Sequence, residues 1–190
     1  GSDQAFPATL DIAGELNGVD GLLINGIGTT DNAGSALSRA GDVNGDGFED
    51  VIIGASAVGA DVGAAYVVFG SDTGLPATIE LSNLDGSNGF RINGLNSDDF
   101  VGIDVSSLGD INGDRLDDLI VGAADPNGSG VAGNAFVIFG SKDFASDISI
   151  GSLNGTNGFR LDGIDNGDKA GFSVGSAGDF NGDGFNDLVV

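Results

Sequence analysis

The residues able to do chemistry fall in one pattern, DVNGDGFEDVIIG from Asp42 to Gly54. It returns as DINGDRLDDLIVG from Asp110 to Gly122 and as DFNGDGFNDLVV from Asp179 to Val190. In each copy, oxygen-bearing side chains occupy positions 1, 3, 5 and 9 of a nine-residue loop. They are Asp42, Asn44, Asp46 and Asp50; Asp110, Asn112, Asp114 and Asp118; and Asp179, Asn181, Asp183 and Asp187. The main-chain carbonyl of position 7 (Phe48, Leu116, Phe185) can add a fifth oxygen. An all-oxygen donor set at this spacing suits a hard divalent cation, and the expected ion is calcium, at about three sites per chain.

Three carboxylates in one short turn repel one another by roughly 1 kcal/mol per pair at 4 Å even in bulk water, and a divalent ion reverses the sign of that term. Gly47 and Gly184 stand at position 6, where the chain must turn sharply. Arg115 stands there in the second copy, so that loop is expected to be distorted or its site weakened by the added positive charge. A cluster of Asp, Asn and Gly also makes solvated turns, which is the competing reading of any single copy. Three copies with the same ligand spacing favour the metal. An EF-hand or dockerin loop needs an acid at position 12 and a helix after it. Here position 12 is Ile53, Val121 or Val190, inside an apolar run.

The residue types that are missing exclude much else. There is no Cys, His, Met or Trp, so no thiolate zinc site, thiol nucleophile or imidazole base can be built. Gly171-Phe172-Ser173-Val174-Gly175 fits the nucleophile-elbow pattern, yet it has no histidine to serve it and no helix is expected after it. Paired carboxylates could support glycoside hydrolysis, but each conspicuous Asp is already taken by a loop. The chain is therefore not expected to be an enzyme. With 29 acidic against 6 basic residues its net charge is −23, which argues against nucleic acid or an anionic membrane as partner. Loops of this kind fill where calcium is near millimolar, which places the protein outside the cell, secreted or at the cell surface. No signal peptide and no spanning apolar run is read; Gly1-Ser2 looks like an expression scar.

The elements that must position these loops repeat with them. Asp42 to Asp110 is 68 residues and Asp110 to Asp179 is 69, longer than the common propeller blades of roughly 40 to 50. Asp31, Asp99 and Asp168 lie eleven residues before the loops, and Gly34, Gly102 and Gly171 eight before. Each full repeat reads as four strands: GSALSRAG or GIDVSSLG into the loop, DVIIGA or DLIVGA out of it, GAAYVVFG or GNAFVIFG third, and FRINGL or FRLDGI fourth. The second and third carry consecutive apolar residues, which predicts burial on both faces. Almost no helix is expected. The linkers before the fourth strands, and residues 5–21, carry short alternating pieces (TIEL, ISI, TLDI) that read as a short extra strand or a packed loop.

The predicted architecture is all-β, an incomplete β-propeller of about three repeats built from four-stranded antiparallel sheets. Residues 1–32 end a preceding blade, 33–95 form blade 1, 101–164 blade 2, and 170–190 the first two strands of blade 3. Such a ring needs about 4 to 8 blades. Further blades or a homo-oligomer are therefore expected, since apolar blade faces and sheet edges are otherwise bare.

These residues resemble FG-GAP repeats, the blades of the integrin α-subunit propeller. The resemblance covers about residues 20–190. It rests on the loop D-x-N-x-D-G-x-x-D, the strand ending in Gly54-Ala55 or Gly122-Ala123, and the pairs Phe69-Gly70 and Phe139-Gly140. It departs at Ser56 and Ala124, where the family has proline. The resemblance implies a seven-bladed parent propeller with calcium in the hairpins between the first two strands of a blade. It further implies a module for extracellular adhesion or for binding a protein or glycan ligand, with calcium structural. The alternatives are an architectural or self-assembling unit of a large surface protein, and a non-catalytic propeller accessory to a secreted polysaccharide-acting enzyme. Two sequons, at Asn127 and Asn154, are compatible with a eukaryotic secretory route.

Overall fold

The computed structural model describes residues 21–127 and 132–190. The TLDI piece and Gly128-Ser129 of the first sequon lie outside them. The apolar runs leaving the acidic loops become β3 (Asp50–Ala55) and β8 (Asp118–Ala123). Each pairs antiparallel with the strand that enters its loop, β2 (Ala36–Gly41) or β7 (Val101–Gly109), and with the third strand, β4 (Ala64–Val68) or β9 (Asn134–Ile138). The fourth strands, β6 (Gly89–Asn93) and β11 (Gly158–Asp162), pair with the far side of the third. Shorter pieces flank these two sheets: β1 (Leu23–Asn25) before them, and β12 (Gly175–Gly178) paired with β13 (Asp187–Val189) after them. Helix is confined to the four residues Val58–Asp61 and two 3-10 turns, Leu81–Asn83 and Ile150–Ser152, among the described residues.

Consecutive apolar residues send side chains to opposite faces, as strand geometry requires. Ile52, Val67 and Ile92 pack against Val105, Leu119, Val121 and Phe136 of the next sheet. Ile53, Tyr66 and Val68 pack the other way, against Ile79 and Leu81. Each sheet is thus a propeller blade stacked face to face with its neighbours, and the described blades do not close into a ring.

The linker pieces do more than the alternation in their sequence suggests. β5 (Thr78–Glu80) pairs parallel with β1, and β10 (Asp147–Ser149) pairs parallel with β6, so each linker adds a strand to the outer edge of the blade before its own. The two additions share their polar clasp. Asn25 Nδ2 donates to Glu80 at 2.7 Å, and Asn93 Nδ2 donates to Asp147 at 3.0 Å. Phe144 of the second linker stacks on Phe90 of the first blade, with centroids 4.1 Å apart. These contacts cover an edge that would otherwise pair with other chains.

The blades also meet at a recurring inner joint. Gly63 bridges Val101, and Gly133 bridges Ala170, both parallel. One residue on, Gly102 adopts φ +86°, and a Cβ there would collide with the Ala64 carbonyl oxygen of the preceding blade. Gly171 (φ +83°) meets Asn134 in the same way. Backbone approach this close leaves room for no side chain.

Candidate metal centre

Each loop begins at a bulge. The β2–β3 register slips between Arg39 and Gly41, the β7–β8 register between Ser107 and Gly109, and the β12–β13 register between Ser176 and Gly178. The extra residue bends the strand and aims the chain into the loop.

Inside the loop the first aspartate organises the turn. Asp42 Oδ1 accepts the N–H groups of Gly45 and Asp46 at 2.8 and 3.0 Å, and Oδ2 accepts that of Gly47 at 2.9 Å. Asp110 does the same for Gly113, Asp114 and Arg115 at 2.7, 3.1 and 2.8 Å. Asp179 does so for Gly182, Asp183 and Gly184 at 2.7, 3.0 and 3.0 Å. At position 3, the Oδ1 of Asn44, Asn112 and Asn181 accepts the N–H of position 5, and its Nδ2 faces the position-5 carboxylate, at 2.9–3.1 Å throughout. The other oxygen of Asp46, Asp114 and Asp183 accepts the N–H of position 7. All three loops therefore adopt one hydrogen-bonded form. The position-7 residues lie at its rim, Phe48 and Phe185 exposed and Leu116 half-buried.

Position 9 stands apart from the rest. Asp50 is 1% and Asp118 0% exposed. Asp50 accepts Val43 N at 3.0 Å and Gly70 N at 2.8 Å, and Asp118 accepts Ile111 N and Gly140 N, both at 2.9 Å. Each thereby ties the loop's second residue to the glycine of the Phe-Gly pair that ends the third strand. Asp187 accepts Phe180 N at 2.8 Å and Asn181 N at 3.1 Å. Burial pushes the carboxyls of Asp50 and Asp118 up to about 6, against their N–H bonds and with help from the other loop carboxylates.

An ordinary carboxyl in the unfolded chain titrates near 3.9, so between pH 4 and 6 the folded state holds more protons at these two groups. Their contribution is greatest below pH 4 and is lost as pH rises through about 6. Metal-free protein should accordingly melt at a higher temperature at pH 5 than at pH 7.5, with the easing of acidic repulsion acting in the same sense.

The donors fit a hard cation by type, since each loop offers only carboxylate, amide and main-chain oxygen. As placed, the described acidic residues do not gather into a group of three that could hold an ion. The position-9 carboxylate faces two N–H groups, and like charges with no cation between them stay apart. Each carboxylate oxygen that accepts one N–H keeps a further lone pair.

The second loop is not distorted by its arginine. Arg115 takes φ +74° and donates its N–H to Asp110 just as Gly47 does to Asp42. A residue with a Cβ pays roughly 1–2 kcal/mol for that left-handed conformation. Arg115→Gly is expected to raise stability in saturating calcium by about 1 kcal/mol, read as a melting temperature about 2–4 °C higher.

Asp99 and Asp168, which recur in the repeat as the loop acids do, have a different task. Asp99 Oδ2 accepts Leu95 N and Asn96 N, and Asp168 Oδ2 accepts Asp165 N, closing turns between repeats. The sequence marks Gly70 and Gly140 as the recurring partners of Phe69 and Phe139 but not their task, which is to hold position 9 through their N–H groups. Nothing in the ligand pattern marks position 8. There Asp117 and Asn186 reach back to the preceding loop region, Asp117 Oδ2 accepting Asp42 N at 2.8 Å and Asn186 Nδ2 donating to the Leu108 carbonyl at 2.9 Å.

Stacked four-stranded blades, each carrying an acidic hairpin loop between its first two strands, define a β-propeller repeat protein. Residues 33–68 match the model of the FG-GAP repeat. The chain thus carries the FG-GAP repeat and is similar to integrin α subunits over about half its length. It is 37% identical to integrin alpha-2 of Mus musculus over 90 residues, which is 47% of this chain and 7% of that protein. It is 36% identical to integrin alpha pat-2 of Caenorhabditis elegans over 91 residues, 47% of this chain and 7% of that one. It is 32% identical to phosphatidylinositol-glycan-specific phospholipase D of Bos taurus over 163 residues, 83% of this chain and 18% of that enzyme. The chain thus spans less than a fifth of the length of these relatives. No helix among the described residues is long and apolar enough to cross a membrane.

Proposed function

We propose that this chain is a calcium-binding propeller module of an extracellular or cell-surface protein, serving adhesion or the binding of a protein or glycan. Calcium is structural in this reading. The ion in each loop is held by positions 1, 3, 5 and 9 with the position-7 carbonyl, and it pins the hairpin between a blade's first two strands. The observation that carries the reading is the threefold recurrence of one all-oxygen loop in one hydrogen-bonded form. The blades divide at 33–95, 101–164 and 170–190.

The likeness to a phospholipase does not make this chain an enzyme on this reading. It has no histidine or cysteine, and its conspicuous aspartates are engaged in loops and turns. A self-assembling or architectural role draws support from Phe172, just before the last hairpin, and Phe180 and Phe185 in its loop, which are 49%, 86% and 51% exposed. Such apolar surface suits contact with a further blade or a second copy, and mass measurement in solution separates a monomer from a closed oligomer.

Thermal melting with and without chelator tests the calcium reading. A site held at a hundred times its Kd adds about 2.7 kcal/mol, so three sites are expected to raise the melting temperature by about 10 °C or more. An unchanged midpoint overturns it.

A further inference from the structure

The three loops are not independent turns, because the second leans on the first and the third on the second. Asp117, at position 8 of the second loop, accepts the Asp42 N–H through Oδ2 at 2.8 Å, while its own N–H donates to the Asp42 carbonyl at 3.2 Å. Both main-chain groups of the first loop's leading residue are thus held by a single residue of the second loop. Position 7 adds a packing contact: Leu116 Cδ2 lies 2.8 Å from where a Cβ on Gly45 would stand. Ser141, just past the Phe-Gly pair of the second repeat, donates its N–H to the Val43 carbonyl at 2.9 Å. The contact recurs one step along. Phe185 lies over Gly113, and Asn186 donates to the carbonyl of Leu108, two residues ahead of Asp110. Position 8 is flanked by a position-7 carbonyl and a position-9 carboxylate, both candidate ligands of its own loop.

Resting on the calcium reading above, we infer that Asp117 is a positioning residue for the first loop and that filling the second loop tightens the first. An ion in the second loop fixes Leu116, Asp117 and Asp118 at once. A fixed Asp117 holds the Asp42 backbone, and with it the carboxylate that organises Gly45, Asp46 and Gly47. Ordering the second loop in advance leaves less for the first ion to order, and that difference appears as coupling between the sites. Asp117 needs no oxygen on either ion to do this.

The test follows each site by the backbone amide of its own position 6 in a calcium titration by NMR: Gly47 for the first loop, Arg115 for the second, Gly184 for the third. Asp114→Ala, which removes a ligand of the second loop, is expected to weaken calcium binding at Gly47 by about 5-fold or more, the lower range of typical couplings. Asp117→Ala should do likewise while the Arg115 amide still titrates. Asp117→Asn should restore most of the affinity, since its amide oxygen can accept the Asp42 N–H. A readout free of metal accompanies these: in chelator, the amides of Gly45, Asp46 and Gly47 should exchange hydrogen faster in Asp117→Ala than in the unaltered protein. If Gly47 titrates identically in all variants, and its exchange is unchanged, the loops are uncoupled and this inference fails while the calcium reading stands. If no position-6 amide of the unaltered protein responds to calcium, both fail.

Discussion

Asp118→Ala is expected to destabilise the protein by about 3 kcal/mol even in chelator, lowering the melting temperature by about 6–12 °C, and by more in calcium, where a ligand of the second loop is lost as well. The side chain is wholly buried and is the acceptor for two main-chain donors, Ile111 N and Gly140 N. Alanine leaves both without it, and each buried N–H deprived of its acceptor costs about 1–3 kcal/mol. Asp114→Ala provides the contrast. Asp114 is exposed, and its removal should cost little in chelator but should abolish the calcium response of its own loop. Chemical denaturation of the two variants in calcium and in chelator checks this. Equal behaviour of the pair in chelator would mean that position 9 has no role beyond that of position 5.

Gly102→Ala is the second substitution with a large expected effect. The added methyl meets the left-handed penalty of about 1–2 kcal/mol. It also meets the Ala64 carbonyl oxygen, a backbone atom held in β4 that cannot move aside without parting the blades. Overpacking adds about 1–3 kcal/mol, so a total loss of about 2–5 kcal/mol is expected. Gly34 supplies the internal control. It occupies the equivalent place one repeat earlier with φ +90°, and no described atom lies within 4 Å of its Cβ position. Gly34→Ala should therefore cost only the conformational part. Urea unfolding of both variants measures the difference, and equal costs would show that the joint between blades is not closely packed at Gly102.

How far the sequence discloses this protein follows from what each signal depends on. The second and third strands of a repeat were legible because burial on both faces leaves an unbroken apolar run, as in Ile52-Ile53 and Leu119-Ile120-Val121. Helix was rightly expected to be nearly absent, since no segment repeats its apolar residues at helical spacing. The parallel addition of β5 and β10 was not legible. Three-residue strands carry too little pattern to name a partner, and that partner lies in another blade. The loop acids stood out by type and spacing, but spacing alone could not distinguish the exposed Asp46 from the buried Asp50. That difference is created by the glycine of the third strand folding over the loop. Arg115 misled for a related reason. Glycine is favoured where φ is positive, yet one left-handed residue costs little beside a loop fastened by three N–H bonds to Asp110.

The most direct measurement is the anomalous scattering of crystals grown in millimolar calcium. The account predicts one strong peak in each loop, within about 2.3–2.6 Å of oxygens from Asp42, Asn44, Asp46, Asp50 and the Phe48 carbonyl in the first and of their counterparts in the others. Ordered loops without such peaks, the carboxylates still turned to their N–H partners, would contradict it.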